Sequence, residues 1–222
     1  TKAAARGFKV GVVTNAYWAV HPADAVEWLR PFSGLIEDLT ISTDFYHYGD
    51  DYAHQADNAH AAAEALNLPL AIIAVASCDQ ATGHATGQLP HGESAVMYRG
   101  RAAVKLAPRA QHHPWDQFTT CPYENLRDPG RLHVDPFGHL HVCHGLSLGN
   151  LFDAPLADIC AAYDPDSHPI CGPLLAGGPA ELVRRYDLPH EDAYADACHL
   201  CDAARRALRT RFPEILTPDQ MY

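Results

Sequence analysis

Cysteine offers this sequence its richest chemistry, and four of the seven cysteines, Cys121, Cys143, Cys198 and Cys201, fall in the second half with spacing suited to holding a metal. The last two belong to Cys198-His-Leu-Cys201, and a two-residue gap lets neighbouring thiolates grip one centre. Cys121 stands in Thr-Thr-Cys-Pro-Tyr, where Pro122 removes a backbone donor and favours an irregular stretch from which a thiolate can reach a metal. Cys143 ends two alternating runs, Arg131–Val134 and His139–Val142, joined by Asp135-Pro136-Phe137-Gly138. That is the local signature of a β-hairpin. A hairpin and a helix together would supply four soft ligands to one site. Thiolates of this kind take an iron–sulfur cluster or zinc, and spacing alone leaves both open. Complete ligation by protein favours an electron-transfer or structural role, because no metal position is left for substrate. Cys78 and Cys160, among apolar neighbours, read as buried thiols without a metal. Cys171 is expected to stay outside the site.

Other candidates are weaker. His133, His139 and His141 alternate with apolar residues and are expected on the solvent face of the hairpin, opposite the apolar one. His144 and His199 adjoin predicted ligands and are placed to donate to sulfur. Arg205, Arg206 and Arg209 follow the last cysteines; they either offset an anionic centre or form a solvated helix face. Asp44, His47, Asp50, Asp51 and His54 have too loose a spacing for a hydrolase metal site and read as a solvated loop. Tyr17, Trp18, Tyr46 and Tyr48 are expected in the core rather than in a substrate cavity.

These residues must be positioned by a chain of 222 residues with 47% apolar content, enough to bury a sizeable core in one large or two modest domains. The net charge is −11 and neither half is basic, which argues against a nucleic-acid backbone or an anionic membrane as partner. No apolar run approaches the roughly 20 residues that span a bilayer, and no signal-peptide pattern opens the chain. An odd number of widely spread cysteines suits reduced thiols or metal ligands, hence a cytoplasmic location. In the first half, short β-branched runs at 8–13, 38–42 and 70–75 alternate with helical patterns at 24–29 and 52–66. Such alternation predicts βαβ crossovers and a parallel sheet whose polar edge carries Thr14, Asn15, Ser42, Thr43, Asp44 and Ser77. Ser42, Thr43 and Asp44 have the short donors and acceptors that bind ribose hydroxyls, or they simply cap the next segment. Asn15 reads more as a turn former. Residues 94–98 and 102–106 form strands or a helix, and the linker falls near Pro108 to Trp115. The second half adds the hairpin, a helix at 151–163, a Gly/Pro-rich turn region at 169–179, a short helix at 180–186 and a long last helix with apolar residues from Ala193 to Leu208.

Cys121, Gly138 four residues before Cys143, the segment Leu148-Gly149-Asn150-Leu151 and the closing Cys198-His-Leu-Cys201 resemble the C-terminal auxiliary-cluster domain of radical S-adenosylmethionine (SAM) enzymes, of the SPASM or shortened twitch type. The first half is similar to the partial (βα) barrel of those enzymes. The resemblance implies residues 1–107 as a barrel fragment and 108–222 as a small α+β cluster domain with a β-hairpin. It further implies an auxiliary 4Fe-4S cluster on the four cysteines, SAM contacts at Asn15, Ser42 and Asp44, an electron donor, and a peptide or protein substrate. The catalytic Cys-x-x-x-Cys-x-x-Cys motif of the family is absent. The sequence is therefore expected to begin after the first two barrel strands and to be inactive alone. No cysteine follows Cys201, so one auxiliary cluster is expected, closer to the twitch form. The plain alternative is a non-catalytic module in which zinc or iron–sulfur stabilises the scaffold.

Overall fold

The computed structural model describes residues 2–44, 46, 54–76, 78 and 93–222. His47, Tyr48, Asp50, Asp51 and Ser77 lie outside the described residues. The chain forms two compact units, Thr1–Val96 and Met97–Tyr222. Among the described residues, no helix is long and apolar enough to cross a membrane.

The first unit contains strand β1 (Gly11–Thr14), helix α1 (Pro22–Leu29), β2 (Asp38–Ser42), α2 (His54–Ala65), β3 (Leu70–Val75) and β4 (Glu93–Ser94). The four strands make one sheet in the order β1-β2-β3-β4, and every neighbouring pair is parallel. The alternation predicted this, with β2 and β3 at their expected bounds and β1 three residues later at its start. Among the described residues the sheet is open rather than a closed barrel. In β2, Leu39 and Ile41 are fully buried, each removing an apolar side chain from water for about 1.5–3 kcal/mol. They join Ala25 and Leu29 of α1 and Ala56, Ala59, Ala62 and Ala63 of α2 in one cluster. Alanine on the inner face of α2 lets its backbone come close to the neighbouring elements. Pro22 opens α1 in the first turn, where its missing N–H costs nothing, and Pro31 follows its end in a 3-10 turn.

The second unit begins with a short helix α3 (Arg101–Lys105), so residues 102–105 are helical rather than a strand and Leu106 is the C-cap. It continues with β5 (His113–Pro114), β6 (His133–Val134), β7 (His139–Cys143), β8 (Leu146–Asn150), α4 (Leu156–Ala162), α5 (Cys171–Tyr186), β9 (Ala193–Tyr194) and α6 (Ala197–Leu208). Strands β6, β7 and β8 form an antiparallel sheet, and β5 pairs with β9. The hairpin turn at Asp135–Gly138 stands where it was expected, with Gly138 N donating to Asp135 O at 3.1 Å.

Three expectations are corrected in this unit. Residues 171–176 are not a turn region: the Gly/Pro-rich stretch belongs to α5, which breaks only at Gly177 and Gly178, where backbone angles leave the helical region. The predicted helix at 151–163 starts at Leu156, because Asp153 and Ala154 bond back to Asn150 O and Pro155 takes the capping position. The last helix begins at Ala197, since Ala193 and Tyr194 are drawn into the pair with β5. Leu200, Ala204 and Leu208, spaced by four, then form its buried stripe.

Candidate metal centre

Each predicted ligand reaches the same place by a different local device. Asp196 caps α6, its Oδ1 accepting from His199 N at 2.7 Å, so Cys198 and Cys201 sit in the first turns on one face with Arg205 four residues on. Cys143 ends β7 and pairs with Leu146 across the two-residue turn His144-Gly145. Gly145 has φ +77, and a Cβ there would meet the Tyr222 hydroxyl at 2.9 Å and its ring at 3.0 Å; Tyr222 Oη donates to Gly145 O at 2.7 Å. Cys121 follows Thr119-Thr120, whose backbone lies against Gly178. A Cβ at Gly178 would fall 2.3 Å from Thr119 C and 2.4 Å from Thr120 N. Ala180 N fixes the approach by donating to Phe118 O at 3.1 Å.

The outcome is one enclosed pocket lined by Cys121, Cys143, Cys198 and Cys201 together with Arg99 and Arg205. Leu126, Leu146 and Leu174 supply apolar wall. The Cys121, Cys143, Cys160, Cys171, Cys198 and Cys201 thiols are free. Burial pushes the Cys121 and Cys198 thiols up and takes Cys201 to about 12, so a soft cation entering the pocket must displace protons to recruit them. Zinc–thiolate bonds of about 2.3 Å in a tetrahedron hold sulfurs about 3.8 Å apart. Among the described residues, the group of three or more ligand atoms lying within 4.8 Å of one another is Asp135, His139 and His141, and no three of these thiols form one. Four thiols lining one pocket are a donor set that suits either zinc or an iron–sulfur cluster.

The cations around the sulfurs differ from those expected. Arg99 Nη1 donates to Cys143 Sγ at 3.3 Å, and nothing in the sequence pattern singled this residue out. Arg205 is not on a solvated face: it is 3% exposed, with Nη1 donating to His144 O at 2.8 Å. Arg206 pairs with Asp202 at 2.6 Å and Arg209 with Asp219. His199 does not donate to sulfur through Nδ1, which instead accepts from Ala195 N at 3.2 Å. Burial, with Arg99 and Arg205 nearby, pushes the His144 imidazole down and keeps it neutral at pH 7.

The remaining cysteines divide. Cys78 is buried as expected, but Cys160 is exposed, because α4 buries Ile159 and the next residue points about 100° away. Cys171 is fully buried at the head of α5, and burial drives its thiol up to about 11.

Of the hairpin histidines, His133 is exposed as expected and His139 is half-buried, but His141 departs from expectation. His141 is fully buried because β7 is covered on both faces, Leu140, His141 and Val142 all being inaccessible. Its Nε2 lies 3.1 Å from Asp135 Oδ2 and His139 Nδ1 lies 2.9 Å from the same oxygen. Asp135 Oδ1 accepts from Phe137 N and His139 N. Burial works to raise Asp135, but the bonds from His141 and His139 outweigh it and hold the carboxylate at about 2. Burial lowers His141, which is therefore neutral and donates through Nε2. A metal on Nε2 would move that proton to Nδ1, which is buried with no partner. The three side chains form a hydrogen-bond network that holds the turn before Cys143.

In the first unit Asn15 is exposed beyond β1, with Oδ1 accepting from Tyr17 N at 3.4 Å. Ser42 and Asp44 are 7% and 6% exposed at the end of β2, next to β1, and Asp44 Oδ1 accepts from Tyr46 N at 3.1 Å. Tyr46 Oη bridges Ala76 O and Cys78 N, so it ties strand ends together. Tyr17 is 76% exposed rather than in the core, and Trp18 stacks on Trp28 with ring centroids 5.3 Å apart. The chain matches no protein family and no curated protein.

Proposed function

We propose that the second unit binds an auxiliary 4Fe-4S cluster through Cys121, Cys143, Cys198 and Cys201, and that the chain serves as the C-terminal part of a radical SAM enzyme acting on a peptide or protein. The observation that carries the reading is the convergence of four thiols, from three distant stretches of sequence, on one pocket of unit Met97–Tyr222. The guanidinium on Cys143 Sγ supports an anionic centre at this pocket. A cluster bound there supplies one-electron storage. The protein's part is to exclude water with leucine side chains and to hold fixed cations beside the sulfurs. With all four positions taken by thiolates, substrate is held elsewhere and the site passes electrons, which calls for an electron donor.

For the first unit, we infer a fragment of a (βα) barrel. The parallel order β1-β2-β3-β4, with α1 between β1 and β2 and α2 between β2 and β3, supports it. Asn15, Ser42 and Asp44 at the ends of adjacent strands are then the candidates for SAM contact, each of short polar type. Free thiols at the pocket fit a reducing, cytoplasmic setting.

The test is anaerobic purification followed by iron, sulfide and zinc analysis. About four irons with matching sulfide per chain are expected. Stoichiometric zinc would favour the structural module instead, and a metal-free chain with a full complement of titratable thiols would overturn both.

A further inference from the structure

We propose that Arg99 sets the reduction potential of the cluster by donating to Cys143 Sγ; this rests on the iron–sulfur reading above. Arg99 is placed with more care than a loop arginine on a solvated surface requires. The backbone N–H before it, Tyr98 N, donates to Asp196 Oδ2 at 3.3 Å, and the one after it, Gly100 N, donates to Asp202 Oδ1 at 3.0 Å. Both carboxylates belong to the start of α6, on either side of the Cys198–Cys201 pair. Each also has a second bond, Asp196 to His199 N and Asp202 to Arg206 Nε. The segment carrying Arg99 is thereby registered against the same turn of helix that presents two of the thiols, and its guanidinium enters the pocket to meet a third.

Arg205 differs. Its Nη1 is engaged by His144 O and its guanidinium lies 5.5 Å over the Tyr222 ring, so it contributes fixed charge at the pocket wall. Arg99 makes the directed bond to sulfur. One-electron reduction at this site makes and breaks no covalent bond. It takes one electron from a donor, dithionite in the assay, and adds one negative charge spread partly onto the cysteine sulfurs. A guanidinium bonded to Cys143 Sγ interacts more favourably with the reduced state than with the oxidised one, and a preorganised donor requires no rearrangement to do so. Arg99 therefore raises the potential.

The experiment is an EPR-monitored redox titration of the reconstituted full chain and of Arg99→Gln, Arg99→Lys and Arg131→Gln. Arg131 is exposed and paired with Glu124, and its variant serves as the charge-loss control. Arg99→Gln is expected to keep iron and sulfide at the wild-type ratio while its reduced-to-oxidised ratio at fixed potential falls at least tenfold, about 59 mV for a one-electron couple. Arg99→Lys keeps the charge but loses the planar fork, and a smaller fall in the same direction is expected. Arg131→Gln should leave the potential unchanged. A fully loaded Arg99→Gln with wild-type potential overturns the proposal, as does loss of the cluster from both Arg99 variants, which would make Arg99 a structural residue. If the wild-type chain takes up no iron, the iron–sulfur reading fails and the proposal falls with it.

Discussion

Replacing Gly178 with alanine should damage the centre from a distance, through the backbone that carries Cys121. Gly178 has φ 65° and ψ −162°, a region open in practice to glycine alone and costing another residue about 1–3 kcal/mol. The added methyl would also sit 2.3 Å from Thr119 C, 2.4 Å from Thr120 N and 2.6 Å from Phe118 O. These are backbone atoms that cannot rotate away, so relief requires the 118–120 segment to move. Overpacking of this kind costs about 1–3 kcal/mol, giving roughly 2–6 kcal/mol in all. Any segment shift moves Cys121 out of register with the other three thiols. Urea denaturation of Gly178→Ala, with Gly130→Ala as control because nothing lies within 4 Å of a Cβ there, measures the first effect. Iron content after reconstitution measures the second. Gly178→Ala within about 0.5 kcal/mol of wild type and with full iron would refute the claim that this glycine places Cys121.

Cys201→Ser should abolish iron retention whereas Cys160→Ser, at an exposed thiol, should retain it, as read by metal analysis of the purified variants. Leu200→Ala, at a fully buried core position, should lower stability by about 2–5 kcal/mol in denaturant titration. Acid should act through Asp135, whose carboxylate sits at about 2 against an ordinary 3.8. Its stabilising contribution, about 2 kcal/mol, is fully present above pH 3.8 and fades as pH falls towards 2. His141, lowered by burial, acts in the same direction starting higher. The unfolded imidazole takes up a proton below its ordinary pKa of 6.5, so stability declines as pH drops through that value. Asp135→Asn should flatten the lower part of the stability–pH curve, and an unchanged slope there would count against the network.

How much of this was legible in the sequence depended on how local the signal was. The parallel strands followed from β-branched runs set between helical patterns, and the hairpin from a single turn. The four thiols were singled out by residue type and spacing, although three separate stretches supply them. What escaped was decided by tertiary packing. Arg99 carries no spacing relation to any cysteine; its role comes from two backbone bonds to carboxylates about one hundred residues away. His141 obeys strand alternation and is nevertheless buried, because alternation assigns a residue to a face without saying whether that face is covered. The kinked helix α5 was hidden by its glycines and proline, which mark a break at Gly177-Gly178 rather than the absence of a helix. The local signal for β8 is His144-Gly145, a two-residue hairpin turn between two alternating runs.

Ligands presented by one helix turn alone, as Cys198 and Cys201 are, would bind whenever α6 formed. Cys121 and Cys143 arrive through contacts that exist only in the packed unit: Gly178 against Thr119-Thr120, and Tyr222 against Gly145. A two-residue cysteine pair grips a metal weakly without the other half of its ligand set, so full affinity requires the packed second unit. The dependence is reciprocal by linkage, since anything that binds the folded state and not the unfolded one stabilises it. Arg205, buried at the pocket wall with Nε lacking a partner, adds to this coupling. Its charge is held in a desolvated place, so the anionic cluster proposed above would offset an electrostatic cost of that burial.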